Sequence, residues 1–151
     1  MPFSATYANA ILNYTFSKVK ELTAPEFVYI GLCTNDPEAD GGTFNELSGG
    51  GYTRVMISQR GENYPDVIGS ASGRAVTNVK QVNWAKATLN WEEANGFGLF
   101  SAPTGGTPFF YGKLEEPVTC EAGAVALFDP QTLKIEFPKN DVSTAAATVS
   151  E

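Results

Sequence analysis

One stretch of the chain, residues 96–114, constrains the fold more than any other. It consists of two runs rich in aromatic residues and glycine, joined by the Ser/Pro/Gly-rich connector 101–106. Apolar runs on both sides of such a connector indicate a β-hairpin. The aromatic side chains can bury much of the apolar surface that a small domain needs. Gly98 and Gly112 lie inside the two strands, where glycine predicts a bulge or a close approach of another backbone.

Before this hairpin, residues 4–22 predict the one helix of the chain. Ser4 can cap the first turn, and Pro25 prevents the helix from continuing. The apolar positions at helical spacing are Ala8, Ile11, Leu12, Thr15, Phe16 and Val19. This stripe predicts a helix that packs on a sheet. The alternative is that the stripe also contacts a neighbouring subunit.

The remaining chain predicts short strands separated by turns and two long loops. The strands are expected over 27–33, 52–58, 79–84, 87–91, 124–128 and 133–137, and residues 117–123 predict a strand followed by a turn. The runs 124–128 and 133–137 read as a final hairpin, and the long loops cover 38–51 and 60–75. Short strands without βαβ alternation predict an antiparallel β-sandwich, jelly-roll-like, with one N-terminal α-helix. We expect a single domain over 1–137 and a C-terminal tail over 138–151, which is either disordered or an arm that orders against a partner.

Charge and hydropathy limit the classes of partner. The 151 residues carry a formal net charge of −7, which disfavours nucleic acids and anionic membrane surfaces as partners. No run approaches the roughly 18 apolar residues that cross a bilayer. The N-terminus does not read as a signal peptide, so we expect synthesis in a cytoplasm.

The residues that carry chemistry in most enzymes are sparse. The chain contains no histidine, which excludes His-based triads, Cys–His pairs and His-ligated metals. Cys33 and Cys120 have no CxxC spacing and read as small buried residues, with a disulfide left open. The acidic pairs 92–93 and 115–116 are the candidates for glycoside hydrolysis, but they lie beside turns, where acids are normally solvated. We therefore expect no enzyme activity, no catalytic residues and no cofactor.

An acidic loop gives the one metal-like pattern. Asp36, Glu38 and Asp40 place oxygen ligands at alternate positions before a glycine, as at the start of a calcium loop. The twelfth position is Leu47, which is not a ligand, and Pro37 interrupts the pattern. The simpler interpretation is an acidic turn exposed to solvent, and a calcium loop of another type is the alternative.

Aromatic residues outside the hairpin have two interpretations. Trp84, Trp91, Tyr64 and Tyr111 could form a platform on which sugars stack, but buried core aromatics are the more frequent case. A sugar-binding surface would favour a receptor-binding protein over a purely structural one.

Several segments together resemble a known class of proteins. They are TYANAILN at 6–13, YIGLCTNDP at 29–37, GGYTRV at 50–55 and GFGLF at 96–100, followed by GG at 105–106 and YG at 111–112. In this order they are similar to small virion proteins of tailed bacteriophages, usually labelled phage tail fibre protein. The similarity runs from about residue 6 to residue 137.

The resemblance implies a non-enzymatic structural protein of the virion, made in the cytoplasm of a bacterial host. We expect a capsid decoration (cement) protein that binds the major capsid protein and forms a homotrimer, since trimers are common in this class. The alternative is a tail-fibre or collar protein that binds a host carbohydrate receptor. The candidate interface residues are Tyr7, Ile11, Tyr14, Asn35, Asp36, Phe44, Tyr52, Arg54 and Tyr64.

Overall fold

The computed structural model describes residues 4–17, 25–59 and 67–136. This part of the chain forms one short α-helix and antiparallel β-strands, which confirms the predicted mainly β class. The elements are α1 (Ala5–Phe16), β1 (Phe27–Cys33), β2 (Val55–Gln59), β3 (Ala75–Thr77), β4 (Val82–Asn83), β5 (Ala94–Phe100), β6 (Phe110–Val118), β7 (Leu127–Phe128) and β8 (Lys134–Glu136).

The central sheet has four strands in the order β2-β1-β5-β6. Its β5–β6 pair is the aromatic hairpin predicted over 96–114, and β1 has the predicted bounds. Two further sheets, β3-β8 and β4-β7, have two strands each. The arrangement is sandwich-like, and the finer jelly-roll order stays a prediction.

One face of the central sheet forms the hydrophobic core. Successive side chains of a strand point to opposite faces, so alternate residues of β1 and β5 share this side. Ile30 and Leu32 of β1 and Leu99 of β5 belong to a buried cluster with Val82 and Trp84, which lie in or beside the small sheets. Trp91 belongs to the same cluster, so both tryptophans are core residues rather than an exposed platform.

The predicted hairpin between 124–128 and 133–137 is wrong, because β7 pairs with β4 and β8 pairs with β3. The buried Asn78 explains the difference. Its side-chain amide donates to the carbonyls of Asp129 (2.9 Å) and Lys80 (2.8 Å), and its side-chain oxygen accepts from the Leu133 N–H (2.9 Å). Its backbone also bonds Gln131 and Leu133. The backbone groups of the turn between β7 and β8 therefore bond Asn78 instead of one another.

The strand predicted over 87–91 is also wrong, since this segment is irregular. Its backbone groups bond several separate partners instead of one ladder: Ala87 bonds Ala124 and Gly123, Thr88 bonds Gly50, and Trp91 bonds Cys120. Burial of Ala87 and Trp91 produced the apolar pattern that resembles a strand.

Other boundaries move by a few residues. The helix ends at Phe16, with Ser17 extended, whereas the prediction extended to residue 22. Residues 52–54 precede β2, and the end of the loop predicted over 60–75 enters β3. Residues 18–22, Tyr64 and the predicted tail 138–151 lie outside the described residues.

Candidate functional site

The second face of the central sheet is lined by glycine and covered by loops. Gly31 of β1 pairs with Gly98 of β5, and Cys33 pairs with Gly96. A Cβ atom at Gly31 would lie 2.9 Å from Glu46 Oε1, and one at Gly98 would lie 2.8 Å from a ring carbon of Phe44. The missing side chains thus let residues 34–54 lie directly on the sheet. We call residues 34–54 and 101–108 the loop layer.

The first turn of the loop layer is held by Asn35 and Asp36. The Asn35 amide donates to Asp40 Oδ2 (2.8 Å) and to the Thr43 carbonyl (2.7 Å), and its oxygen accepts from the Asn45 N–H (2.9 Å). Asp36 Oδ1 accepts from two backbone N–H groups, those of residues 38 (3.0 Å) and 39 (3.3 Å). Both side chains therefore bind their own loop.

The end of the same loop contains an ion pair beneath the surface. Arg54 donates from Nε to Glu46 Oε1 (2.8 Å) and from Nη2 to Oε2 (2.8 Å). Its side chain is only 3% exposed, and that of Glu46 is 27% exposed. Tyr52 donates its hydroxyl proton to Glu46 Oε1 (2.9 Å) and accepts from the Leu32 N–H of β1 (2.8 Å). This chain of bonds joins the loop to the central strand.

Arg54 also joins the two parts of the loop layer. Its Nη1 donates to the carbonyls of Ala102 (2.8 Å) and Gly105 (2.9 Å). The guanidinium carbon lies 3.4 Å from the centre of the Phe100 ring, which also meets the Phe44 ring edge-on at 5.1 Å. A planar guanidinium can satisfy such a set of acceptors while stacking, which a lysine cannot.

Burial raises the pKa of two titratable groups beneath the loop layer. It raises the pKa of the Cys33 thiol to about 12, against a smaller opposing effect of the hydrogen bond to the Asn35 carbonyl. Burial also raises the pKa of Tyr52, whose phenol lies beside Glu46. A buried thiol in its neutral form is a poor nucleophile.

The loop layer brings together five of the predicted interface residues. Asn35, Asp36, Phe44, Tyr52 and Arg54 all lie in it, but their contacts hold the loops instead of facing outward. Sequence reasoning missed Glu46, the acceptor of both Tyr52 and Arg54. A lone glutamate in a long loop carries no periodic signal that could have identified it.

The calcium alternative is not supported by the geometry of the acidic loop. Asp36 caps its own turn and Asp40 accepts from Asn35, so these carboxylates serve separate partners. Among residues 4–17, 25–59 and 67–136, no group of three or more Asp, Glu, Cys or His side chains could hold a metal ion.

The three predicted interface residues of α1 lie apart from the loop layer. Tyr7 packs on the rings of Phe109 (5.3 Å between centroids) and Phe110 (5.5 Å). Ile11 and Tyr7 line an apolar groove of about 390 Å³ between the helix and the sheet. Tyr14, one helical turn beyond Ile11, is 47% exposed.

The carboxylates considered for glycoside hydrolysis lie at two separate places in the fold. Glu115 and Glu116 are neighbours in β6 and line a groove of about 550 Å³. The same groove is lined by Glu38, Glu136, Lys113 and Lys134. Glu92 and Glu93 are exposed before β5.

Comparison with known proteins places the chain in a family. The family described as "Podophage GP4 fiber I protein gp80" matches residues 2–136. No curated protein shows significant similarity to the chain. No helix within the described ranges has the length and hydropathy to cross a membrane. Because the match covers nearly the whole chain, the protein belongs to this family and is a phage protein of the tail-fibre type, associated with the virion.

Proposed function

We propose that this chain, as a member of the podophage fibre family, is a non-enzymatic structural subunit of the tail-fibre apparatus that works by adhesion. The observation that carries the proposal is the Glu46–Tyr52–Arg54 network. Its charged and polar groups bind one another and the backbone, and they fix two loops on a glycine-lined sheet. Such a network holds a surface in one shape, which favours binding without ordering of loops.

The outer side of the loop layer is the surface offered for adhesion. Residues 38–41 and 103–107 are exposed, while the side chains that hold the two loops lie beneath them. Function is often carried by loops that a rigid scaffold positions. A host carbohydrate is the receptor chemistry that this surface would meet on a bacterium, and the mixed groove beside β6 is a second place for it.

The non-enzymatic part of the proposal is supported by the state of the reactive groups. Cys33 is buried with a raised pKa, and the Tyr52 hydroxyl is held between Leu32 and Glu46. Neither group is presented to a substrate. Incubation with host polysaccharides should therefore release no reducing ends, and turnover that depends on a carboxylate of this chain would refute this part.

Capsid decoration is the second candidate. It is favoured by the absence of a fixed-period repeat in the sequence, since long fibres are usually repetitive. In either location, we propose that copies of the chain self-associate, with a homotrimer as the expected form, and contact the neighbouring tail, collar or major capsid proteins. Many weak contacts gain strength from the high effective concentration on a particle.

Electron microscopy of intact particles tests the location. Particles whose copy of this chain carries a small gold-labelled tag should show label at the tail for the fibre role. Label distributed over the shell would support decoration instead. Particles without label, alongside a labelled control virion protein, would refute a structural role.

Receptor binding is tested separately with the purified chain on a glycan array. Binding to host surface glycans should be lost on Arg54→Met, which frees the loop layer, and kept in Lys80→Met, which changes an exposed residue outside both proposed surfaces. Failure to bind any glycan would refute the proposed binding of a host carbohydrate receptor and leave adhesion to virion proteins as the role.

A further inference from the structure

The helix α1 differs from the rest of the molecule in charge and burial. Its twelve residues include no charged side chain and none that is buried. Leu12 is 54% exposed and Phe16 is 81% exposed. The helix is held at its first turns, where the Ser4 N–H donates to the Phe109 carbonyl (3.0 Å) and Tyr7 packs on two rings. Its outer face therefore presents large apolar side chains to the surroundings.

The residues of this outer face follow a coiled-coil seam. Ala5, Asn9, Leu12 and Phe16 are separated by steps of four, three and four residues. Alternating steps of three and four place side chains at the a and d positions of a heptad, with Ala5 and Leu12 at d and Asn9 and Phe16 at a. Tyr7 and Ile11 lie on the other side, lining the groove. One face of the helix therefore packs on its own domain, and the opposite face is exposed.

The polar residue within the seam narrows the choice of occupant. An asparagine at a single a position sets register and copy number in self-associating helices, because its amide can bond the same amide in a neighbouring helix. A partner without a matching polar group would leave the Asn9 amide unsatisfied when buried. A second copy of this chain supplies the match by symmetry.

The charge of the chain restricts where two copies can meet. Each copy carries a formal net charge of −7, so two copies repel wherever acidic surfaces meet. A seam without charged residues is where copies can approach without burying like charges.

We infer that α1 is the contact between copies of this chain, with parallel helices that meet through Ala5, Asn9, Leu12 and Phe16. This inference rests on the self-association proposed above and names its surface. A helix of twelve residues spans about 18 Å, so its seam is smaller than the roughly 800 Å² that each partner contributes to a standard interface. Association of the free protein therefore depends on concentration and strengthens when copies are held together in a particle.

Cross-linking through a single introduced cysteine tests the parallel arrangement. In parallel helices about a symmetry axis, a d-position residue meets its own copy, and a disulfide requires Cα atoms within about 7 Å. Under mild oxidation at high protein concentration, Leu12→Cys should form covalent dimers. Asn13→Cys is the matched control, because it is the next exposed residue but lies off the seam. The native Cys33 and Cys120 are buried, and the unmodified chain gives the background.

Sedimentation measurements test the seam without a cross-link. Phe16→Glu places an acid at an exposed position of the seam and should shift the assembly to monomers, with an unchanged circular dichroism spectrum. Leu89→Glu, at a residue that is 66% exposed and lies outside α1, should leave the mass unchanged.

The outcomes separate the seam from the proposed assembly. Equal cross-linking at positions 12 and 13, or an oligomer that survives Phe16→Glu, would overturn the α1 seam while self-association stands. A chain that remains monomeric at all concentrations and does not cross-link through Leu12→Cys would overturn both. Virion labelling tests the structural role independently of either result.

Discussion

Replacement of Arg54 by methionine should destabilise the protein far more than loss of an ordinary surface charge. Methionine keeps much of the length of the side chain but removes every donor. The change breaks two bonds to Glu46 and two to the carbonyls of Ala102 and Gly105, and it removes the stack on Phe100.

The magnitude follows from the burial of the pair. Breaking a buried ion pair by removing one partner costs about 3 to 5 kcal/mol. Glu46 retains 27% of its side-chain exposure, so water partly solvates the carboxylate and the electrostatic loss lies near the lower end of that range. The carbonyl of Ala102 adds about 1 kcal/mol where it stays unpaired, whereas water can replace the bond to the exposed Gly105 carbonyl. We expect the free energy of unfolding to fall by about 4 kcal/mol and the Tm by roughly 10 °C.

Chemical and thermal unfolding, followed by tryptophan fluorescence, measure this change. Lys134→Met is the matched control, because Lys134 forms an ion pair of similar length (2.9 Å) with Glu136 while both side chains are about half exposed. An exposed pair contributes about 0 to 1 kcal/mol. Limited proteolysis adds a local readout, since cleavage within residues 34–54 should accelerate in Arg54→Met alone.

A double-mutant cycle with Glu46→Gln separates the pair from the other contacts of Arg54. Because each change removes the same interaction, the double variant should lose less than the sum of the single losses. If Arg54→Met lowers the Tm no more than Lys134→Met does, the argument that this residue fixes the loop layer is refuted.

Three further predictions concern the sheet, the buried amide and the buried thiol. Gly96→Ala should lower the free energy of unfolding by about 1 to 3 kcal/mol, because the new Cβ would lie 2.8 Å from the Asn35 carbonyl; an unchanged urea midpoint would contradict the close approach. Asn78→Leu should cost about 3 kcal/mol, because buried backbone groups lose their partners, and a urea midpoint equal to that of the original protein would show that these bonds do not hold the turn. Stability should fall as the pH rises above about 9, because the pKa of Cys33 is 9.0 in the unfolded chain and about 12 in the folded one. The unfolded state therefore loses its thiol proton first. The free energy of unfolding then falls by up to about 1.4 kcal/mol per pH unit for this one group. Cys33→Ala should make this alkaline slope shallower, and an identical slope in both proteins would exclude Cys33 as its source.

Local patterns predicted the parts of the fold that local chemistry determines. The hairpin of β5 and β6 follows from aromatic runs around a Pro/Gly connector, and β1 follows from an apolar run that ends at a turn. Ser4 caps α1 as its residue type indicates, accepting from the Tyr7 N–H (3.3 Å).

Contacts between distant residues decided what the sequence could not predict. Asn78 and Asp129 are 51 positions apart, and no pattern within β7 or β8 shows that an amide will occupy their turn. The Trp91 indole likewise donates to the Gly50 carbonyl (2.9 Å) 41 residues away, which favours an irregular segment over a strand.

The sequence selected five residues of the candidate site but did not indicate the contacts that they make within the chain. The residues of the loop layer were selected as contacts with other proteins, which stays a prediction, and the structure shows that they also bond other parts of their own loops and sheet. The same residue types serve both purposes, and only the position of Glu46 beneath Tyr52 and Arg54 distinguishes them. Sequence spacing placed Leu12 and Phe16 on the stripe expected to pack on the sheet, whereas the structure leaves both side chains exposed.

The position of Arg54 determines how force on the connector between β5 and β6 passes into the central sheet. Tension applied to the tip at residues 103–107 enters β5 and β6 through the backbone. A second path runs from the Ala102 and Gly105 carbonyls to the guanidinium, then through Glu46 and Tyr52 to the Leu32 amide. That amide belongs to β1, which has a hydrogen-bonded neighbour on each side. Pulling on the tip therefore loads β1 as well as the two strands of the tip's own hairpin.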